Sequence, residues 1–572
     1  MKTTNKIQIA LVLAATLIFG SCADSYLQTD PAGSTITQTQ YETISGRLRG
    51  AMLGIYSLMY GYSDHDAFGF RSIDMYGDLL SGDMALTARN YGWFFQDEQQ
   101  ETRSERSGYL WVLYYRMLYN INCEIAEAKK ETLIDSVSVY GLPESGYLYS
   151  VNDNGDTLHV YTEWDAEVAN YYAQALTMRA YIYSALTRFF CPTMSHVYDA
   201  GFNITNYPAF PTYDENNFDT GEAQPMAMLS DVYAQVENDL ETAIAYFDAF
   251  GPYYNRENKL EVNADIARGI LAYSYLNKAR LTNKDYDETM PLVVEPMTKA
   301  LQYAEEIINA GNYTIIPNKN LYSTGFNDVN DPSWMWGENV SVETATGLAS
   351  FFGQVDIHSY SYAWSGDTKA IDKFLYEQIP SWDGRKYWFN DGSLNPSYLL
   401  CPDGKFFSAA SPHSTKADDI DREWLSDNVF MRIESIYLIA AEAAYYLQDQ
   451  NKAVFYLDAI LSQRLNPYNE EAATEYNSFK AEITADRHKL FMEIYRNWRL
   501  EMWGEGYGLQ TFRRLSYNYD DENAGSRDHQ KVYRGANHLY NAGKAIEYED
   551  ETVYTMDIPA SELNYNPHMQ DD

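Results

Sequence analysis

Cysteine is scarce in this chain, four in 572 residues, at positions 22, 123, 191 and 401. No Cys-x-x-Cys and no Cys/His spacing joins them, which excludes a zinc cluster or a dense disulfide scaffold. Histidine is nearly as sparse, with nine scattered residues. There is no His-Glu-x-x-His and no histidine pair at helical spacing, so zinc catalysis has no support. Gly-x-Ser-x-Gly and P-loop patterns are also absent. Positive charge is in short supply: 42 basic residues stand against 81 acids, for a net charge of -39. Nucleic acid is bound through basic patches, and a field of this sign repels it, so nucleic acid is excluded as a main partner. Long apolar runs are limited to one, near the N-terminus, which excludes a polytopic membrane protein.

Hydrophobic residues are plentiful at 45 %, enough to bury a large core and to exclude a disordered chain. Tyrosine stands out, its 52 residues outnumbering the 24 Phe and 11 Trp together. The length is compatible with several domains or with one domain built from repeats. Residues 1–21 carry Lys2 and Lys6, no acid, and then the apolar run Ile9 to Phe19. This is a secretory signal, too short to be a stable membrane span. It ends in Phe19-Gly20-Ser21-Cys22, small residues before a cysteine, which reads as a lipoprotein cleavage site with Cys22 as the lipidated first residue of the mature chain. Residues 22–40, short and polar, form a tether. The signal and anchor place the folded part outside the cytoplasm. A disulfide between two of Cys123, Cys191 and Cys401 stays open, because the sequence selects no pair.

From residue 41 the pattern is helical. Apolar residues recur at three- and four-residue spacing in 41–60, 105–130, 164–190, 227–249, 262–282, 296–310, 434–447, 451–464 and 485–503. Residues 434–464 read as two helices joined by Gln448-Asp449-Gln450, with Asn451 as N-cap. Ala440, Ala441, Ala443 and Ala444 let such helices approach closely, a habit of tetratricopeptide hairpins. Residues 262–310 read as a second pair. Residues 131–163 predict a small hairpin around Asn154-Gly155. The loop-rich tracts are 61–104 and 312–432, and loops of that size usually serve function. The expected fold is therefore all-α dominated, a tetratricopeptide-like helical-hairpin scaffold with large irregular loops and minor β-hairpins. It occupies 41–572 as a single domain, with the scaffold mainly in 41–60, 105–310 and 434–515.

Several motifs carry a resemblance. They are Trp111, Tyr114, Tyr115, Leu118, Tyr119 and Asn120; then Arg179-Ala180-Tyr181 with Phe189-Phe190-Cys191-Pro192; then Ala310-Gly311-Asn312-Tyr313. Arg432, Glu434, Tyr437, Leu438, Ala441, Glu442 and Ala443 follow, then Arg499, Glu501, Glu505, Gly506 and Arg513, and finally Ile558-Pro559, Glu562 and Asn566-Pro567. In this order, over nearly the whole mature chain, they resemble the SusD/RagB family of surface nutrient-binding lipoproteins. Asn497, Gly508, Thr511 and Asp557 depart from its usual residues. The resemblance implies four tetratricopeptide-like units and no catalysis. It implies a lipid-anchored protein at the cell surface of the outer membrane, acting as the lid of a SusC-like TonB-dependent outer-membrane transporter. The ligand so implied is an oligosaccharide or, less often, a peptide.

Sugar rings offer an apolar C–H face to aromatic planes and a polar rim to Asp, Asn and Arg. Two segments supply that mixture. The first holds Arg71, Asp83, Asn90, Tyr91, Trp93 and Phe94, and in the resembled family the loop after the first helix commonly supplies ligand-binding aromatics. The second holds Trp334, Trp336, Tyr360, Tyr362 and Trp364. For each ring taken singly, packing of a loop on the scaffold is the competing role. No cofactor is expected, apart from a structural calcium as a weak option at the polar turns 152–156 and 214–219, neither of which completes an EF-hand loop. Two alternatives remain: an envelope glycoside hydrolase, which needs two carboxylates in one cleft, and a peptide-binding surface lipoprotein of the same fold.

Overall fold

The structure is a computed structural model that describes residues 44–95, 105–130, 139–140, 149–151, 157–160, 163–250, 258–281, 291–318, 326–393, 395–407, 426–516, 531–547 and 554–569. The signal segment, the tether with Cys22 and the turn 152–156 lie outside these residues. No helix among the described residues is long and apolar enough to cross a membrane.

The helical scaffold comprises α1 (Ile44–Leu58), α2 (Phe70–Ser81), α3 (Glu105–Lys129), α4 (Glu163–Phe190), α5 (Leu229–Phe250), α6 (Ala264–Lys278), α7 (Pro291–Ala310), α8 (Ile433–Tyr446), α9 (Gln450–Leu461), α10 (Ala472–Ala485), α11 (Arg487–Glu501) and α12 (Gly508–Leu515). From α3 onward each helix packs on the next as far as α12, the stacking expected of helical hairpins. The alanines do what their size permits: Ala267, Ala272, Ala300, Ala304, Ala440, Ala441, Ala443 and Ala444 are all fully buried. Helix starts follow capping chemistry. Asn263 accepts from the backbone N–H groups of Asp265 and Ile266 at 2.9 and 3.1 Å and opens α6. The cap of α9 is Asp449, which accepts from the Lys452 N–H at 3.0 Å, and not the expected Asn451. The link turns through Gln448 at φ 64°, so the helix begins at Gln450, one residue before Asn451, and its cap lies two before it.

Helix α2 lies inside the expected loop 61–104. Every residue of it except Asp74 is buried, so the polar residues beside its short stripe of Phe70, Ile73, Tyr76 and Leu80 face protein and not solvent. Its polar side chains bond within the protein. Asp78 accepts from the Gly504 and Gly508 N–H groups at 2.7 and 3.0 Å. A side chain at residue 508 would press within 3 Å of Ser81, Asp78 and Asp83. That departure from the family pattern thus fits the carboxylates packed there.

The other tract, 312–432, is not structureless. Strands β1 (Met84–Leu86), β2 (Val139–Tyr140), β3 (Tyr149–Val151), β4 (Thr157–Val160), β5 (Pro208–Pro211), β6 (Met226–Met228), β7 (Trp334–Glu338), β8 (Lys369–Ile371) and β9 (Asn428–Arg432) pair in short antiparallel sheets. Strands β3 and β4 flank Asn154-Gly155, where the hairpin was expected. Two pairings tie the loop tract to the scaffold: β7 to β9, and β1 to β8 with Met84 opposite Ile371 and Leu86 opposite Lys369.

Under the long loops lies a buried ionic network. Arg432 reaches Glu501 at 2.8 Å and Glu505 at 2.9 Å, and Arg464 reaches Glu501 at 2.8 Å and Glu434 at 3.1 Å. Arg385 pairs with Asp383 at 2.6 Å and with Glu501 at 3.0 Å. Burial pushes the Glu501 carboxyl up, but Arg464, Arg432 and Arg385 outweigh it and hold it well below the carboxylate range. Asn497 belongs to this network, its amide oxygen accepting from Arg385 at 2.7 Å. Arg179 clamps α4 to α5 through both oxygens of Asp239, at 2.7 and 2.8 Å. Cys123, Cys191 and Cys401 are free thiols.

Candidate functional site

The three-rung β1–β8 ladder determines where the site lies. Beyond it the two strands stay joined, with the Thr87 N–H donating to the Thr368 carbonyl at 2.8 Å and the two threonine hydroxyls 2.7 Å apart. The loop that follows β1 is thereby held against the turn that precedes β8. These are the two segments singled out in the sequence, about 270 positions apart.

Asp367 locks them together. Its buried carboxylate accepts from three successive backbone amides: Asn90, Tyr91 at 2.9 and 3.0 Å, and Gly92 at 3.1 Å. Consecutive N–H groups around one anion form a compact nest. The Asn90 side-chain amide donates to the Ser365 carbonyl at 2.6 Å. Beneath the nest, the buried ammonium of Lys369 donates to the Asp367 carbonyl at 3.0 Å and to Gln354 at 2.7 Å. Gln354 in turn donates to the His65 carbonyl at 2.7 Å. Burial pulls the Lys369 ammonium down to about 8.

Rings cover this frame. Tyr91 is 54 % exposed, Tyr360 38 % and Trp364 47 %. Tyr91 meets Tyr362 edge-on at 5.2 Å and is hydrogen-bonded to Tyr360, which packs on Trp364 at 5.5 Å. Trp93 lies over His65 at 5.2 Å, nearly parallel, and meets Tyr362 at 5.8 Å. The Tyr362 hydroxyl and His65 Nδ1 are 2.7 Å apart, and exposed Tyr62 adds an edge contact to His65 at 5.9 Å. Tyr398 donates to the Trp364 carbonyl at 3.2 Å. The result is a rigid aromatic surface with hydroxyl tips at its rim. Such a surface can stack the apolar face of a ring while its polar edges meet hydroxyl groups.

The remaining candidates lie elsewhere and are engaged. Arg71 is buried, bonded to Asp74 at 2.7 Å and to the Gly504 carbonyl at 2.9 Å, with its guanidinium 4.1 Å above the Phe351 ring. Asp83 is buried against Arg499 at 2.6 Å. Phe94, at φ 63°, is buried against Phe68 and Tyr76 and anchors the loop from below. Trp334 and Trp336 belong to β7 and are buried, Trp336 against Phe430 at 5.2 Å and Tyr181 at 5.6 Å. Sequence reasoning missed His65, Gln354, Asp367 and Lys369, none of which lies in a motif. The density of Tyr and Asp in 61–104 pointed toward the first of them only. In the turn 214–219, Glu215 is committed to Lys129 at 2.5 Å and Arg179 at 2.6 Å. Among the described residues no group of three or more His, Cys, Asp or Glu is arranged to hold a metal ion.

The SusD family model matches residues 303–571. No curated protein matches the chain. Among solved structures, a SusD-like carbohydrate binding protein from Bacteroides vulgatus is 19 % identical with a TM-score of 0.64, covering 92 % of this chain and 97 % of that one. A SusD superfamily protein from Bacteroides thetaiotaomicron is 18 % identical with a TM-score of 0.65, covering 92 % and 98 %. Another from Parabacteroides distasonis is 15 % identical with a TM-score of 0.54, covering 87 % and 92 %. The matched region, just under half of the chain, contains β7 to β9, the buried ionic network and the turn bearing Trp364, and the fold of the chain is similar to that of these structures over nearly its whole length: residues 303–571 match the SusD family, and the fold is SusD-like.

Proposed function

We propose that this chain is a non-catalytic carbohydrate-binding lipoprotein of the outer-membrane surface, anchored through Cys22, which captures an oligosaccharide or polysaccharide and passes it to a TonB-dependent transporter. The observation that carries the binding role is the convergence of exposed Tyr91, Tyr360 and Trp364 around partly buried Trp93 and buried Tyr362, which backs them. Exposed rings held on a satisfied polar frame lose little entropy when a ligand stacks on them. The Asp367 carboxylate beside Tyr91 has its oxygens occupied by backbone amides, an arrangement suited to support rather than proton transfer. The strong negative charge favours a neutral ligand over an acidic one. The similar protein from Bacteroides vulgatus is described as carbohydrate binding, which agrees with this reading.

Native affinity gels with a panel of neutral polysaccharides, followed by calorimetry on the retained one, test it. Binding without product release, reduced at least tenfold in Tyr91→Ala/Trp364→Ala, is expected, the order of magnitude for loss of two stacking rings. Cleavage products on a chromatogram, or affinity unchanged in the double variant, would overturn it. Recovery of a large barrel protein with the chain from solubilised outer membrane tests the transporter partner.

A further inference from the structure

A second pair of exposed rings stands away from this surface. Tyr387 is 46 % exposed and Tyr468 is 73 % exposed, and the two meet edge-on at 5.0 Å. Large aromatics of this chain are mostly buried, so two adjoining exposed rings are unusual here. Both are stiffly mounted. Tyr468 sits on a turn in which its own N–H donates to the Asn466 side chain at 2.9 Å, and the Asn466 amide donates to the Ser381 carbonyl at 2.9 Å. Tyr387 rides the 3₁₀ turn Gly384–Trp388, whose Gly384 N–H donates to the Arg464 carbonyl at 2.7 Å. Arg385 and Arg464, members of the buried ionic network, flank the two turns from inside.

The pair is continuous with the first surface through a two-stranded ribbon. Phe389 bridges Pro402, and Asn390 exchanges backbone bonds with Leu400 and Cys401 at 2.7 and 2.8 Å. Tyr387 lies at one end of this ribbon. At the other is Tyr398, which holds the Trp364 carbonyl, with exposed Leu399 beside it. At ~3.4 Å per residue the ribbon separates the two aromatic groups by on the order of 10 Å. Two rings are too small for a protein interface, which needs about 800 Å² per partner. Exposed Glu470 and Glu471 beside Tyr468 disfavour an anionic ligand.

We propose that Tyr387 and Tyr468 form a second stacking platform for the same neutral carbohydrate chain, so that a long glycan is gripped at two points and a short one at the first alone. This rests on the carbohydrate-binding reading above. The test compares wild type, Tyr387→Ala/Tyr468→Ala, Tyr387→Phe/Tyr468→Phe and Trp364→Ala by calorimetry. Its probes are short oligosaccharides and long chains of whichever polysaccharide among amylopectin, xylan, galactomannan and laminarin retards the wild type. The alanine pair is expected to lower affinity for long chains about tenfold and leave short ones unchanged, with the phenylalanine pair restoring it. Trp364→Ala should weaken both. If the alanine pair binds long chains as the wild type does while Trp364→Ala weakens both, the second platform is overturned and the first reading stands. If no polysaccharide retards the wild type, both fall. Weaker binding of a co-purified protein by the alanine pair, with glycan affinity unchanged, would assign the pair to a protein contact and overturn the platform.

Discussion

At the scale of single residues, tryptophan shows how one side chain serves opposite ends. Trp336 and Trp364 were equal candidates in the sequence, and neighbouring apolar residues do not separate them. Strand β7 is covered on both faces, so Trp336 is core, whereas Trp364 sits on a turn whose carbonyls are bound beneath it. Trp336→Ala should cost roughly 3–5 kcal/mol in denaturant unfolding, the range for a large core truncation. Trp364→Ala should stay within about 1 kcal/mol while abolishing most glycan affinity. A comparable loss of stability in both would contradict the placement. Glu124, buried in α3, gives a pH signature. Burial, helped by Glu127, raises its carboxyl to about 9. The native state therefore keeps a proton that the unfolded chain has released, and stability falls as pH rises between about 4.5 and 9. Glu124→Gln carries no such penalty. Its unfolding midpoint relative to wild type should improve steadily from about pH 5 to 8, by at most ~1.4 kcal/mol per pH unit. A pH-independent difference would show that Glu124 is ionised in the native state.

At the scale of elements, the β1–β8 ladder and the Asp367 nest assemble the site. Asp367→Ala leaves three amides facing a cavity, which should loosen the 87–95 loop and cost about 2–3 kcal/mol locally. The expected outcome is altered Trp93 fluorescence and faster amide exchange in 87–95, with α8 and α9 unaffected. Uniform exchange across the chain would instead mean that Asp367 supports the whole fold. The helical array was legible because amphipathic stripes and paired alanines repeat. Helix α2 was not, since its stripe of Phe70, Ile73, Tyr76 and Leu80 spans only 12 residues and the interleaved Asp74, Gly77 and Asp78 read as loop. The aromatic segments 89–95 and 360–364 could be nominated from composition. Their meeting could not be foreseen, because three ladder rungs leave no periodic pattern, and Asp367 looks like any other acid in an acidic chain.

At the scale of the whole molecule, the buried ionic network is the physical content of the shared motifs. Arg432 and Glu434 come from one motif and Glu501 and Glu505 from another about 70 residues on, and with Arg385, Lys405, Arg464 and Asp383 their charges balance out of water. Removing one partner strands the others, so Glu501→Gln should cost roughly 3–5 kcal/mol, read as a lowered unfolding midpoint with loss of soluble expression. A midpoint within about 1 kcal/mol of wild type would show that water or relaxation compensates. The departure Asn497 keeps the network intact through its amide oxygen, so a motif can change letter without changing job. The ladder that joins residue 84 to residue 371 also has a consequence in time. A chain emerging from its N-terminus carries Tyr91 and Trp93 long before their partners exist. On the proposed function, recognition becomes possible only when the last two-fifths of the polypeptide is arriving, and a fragment ending before residue 360 holds two of the five rings and no assembled surface.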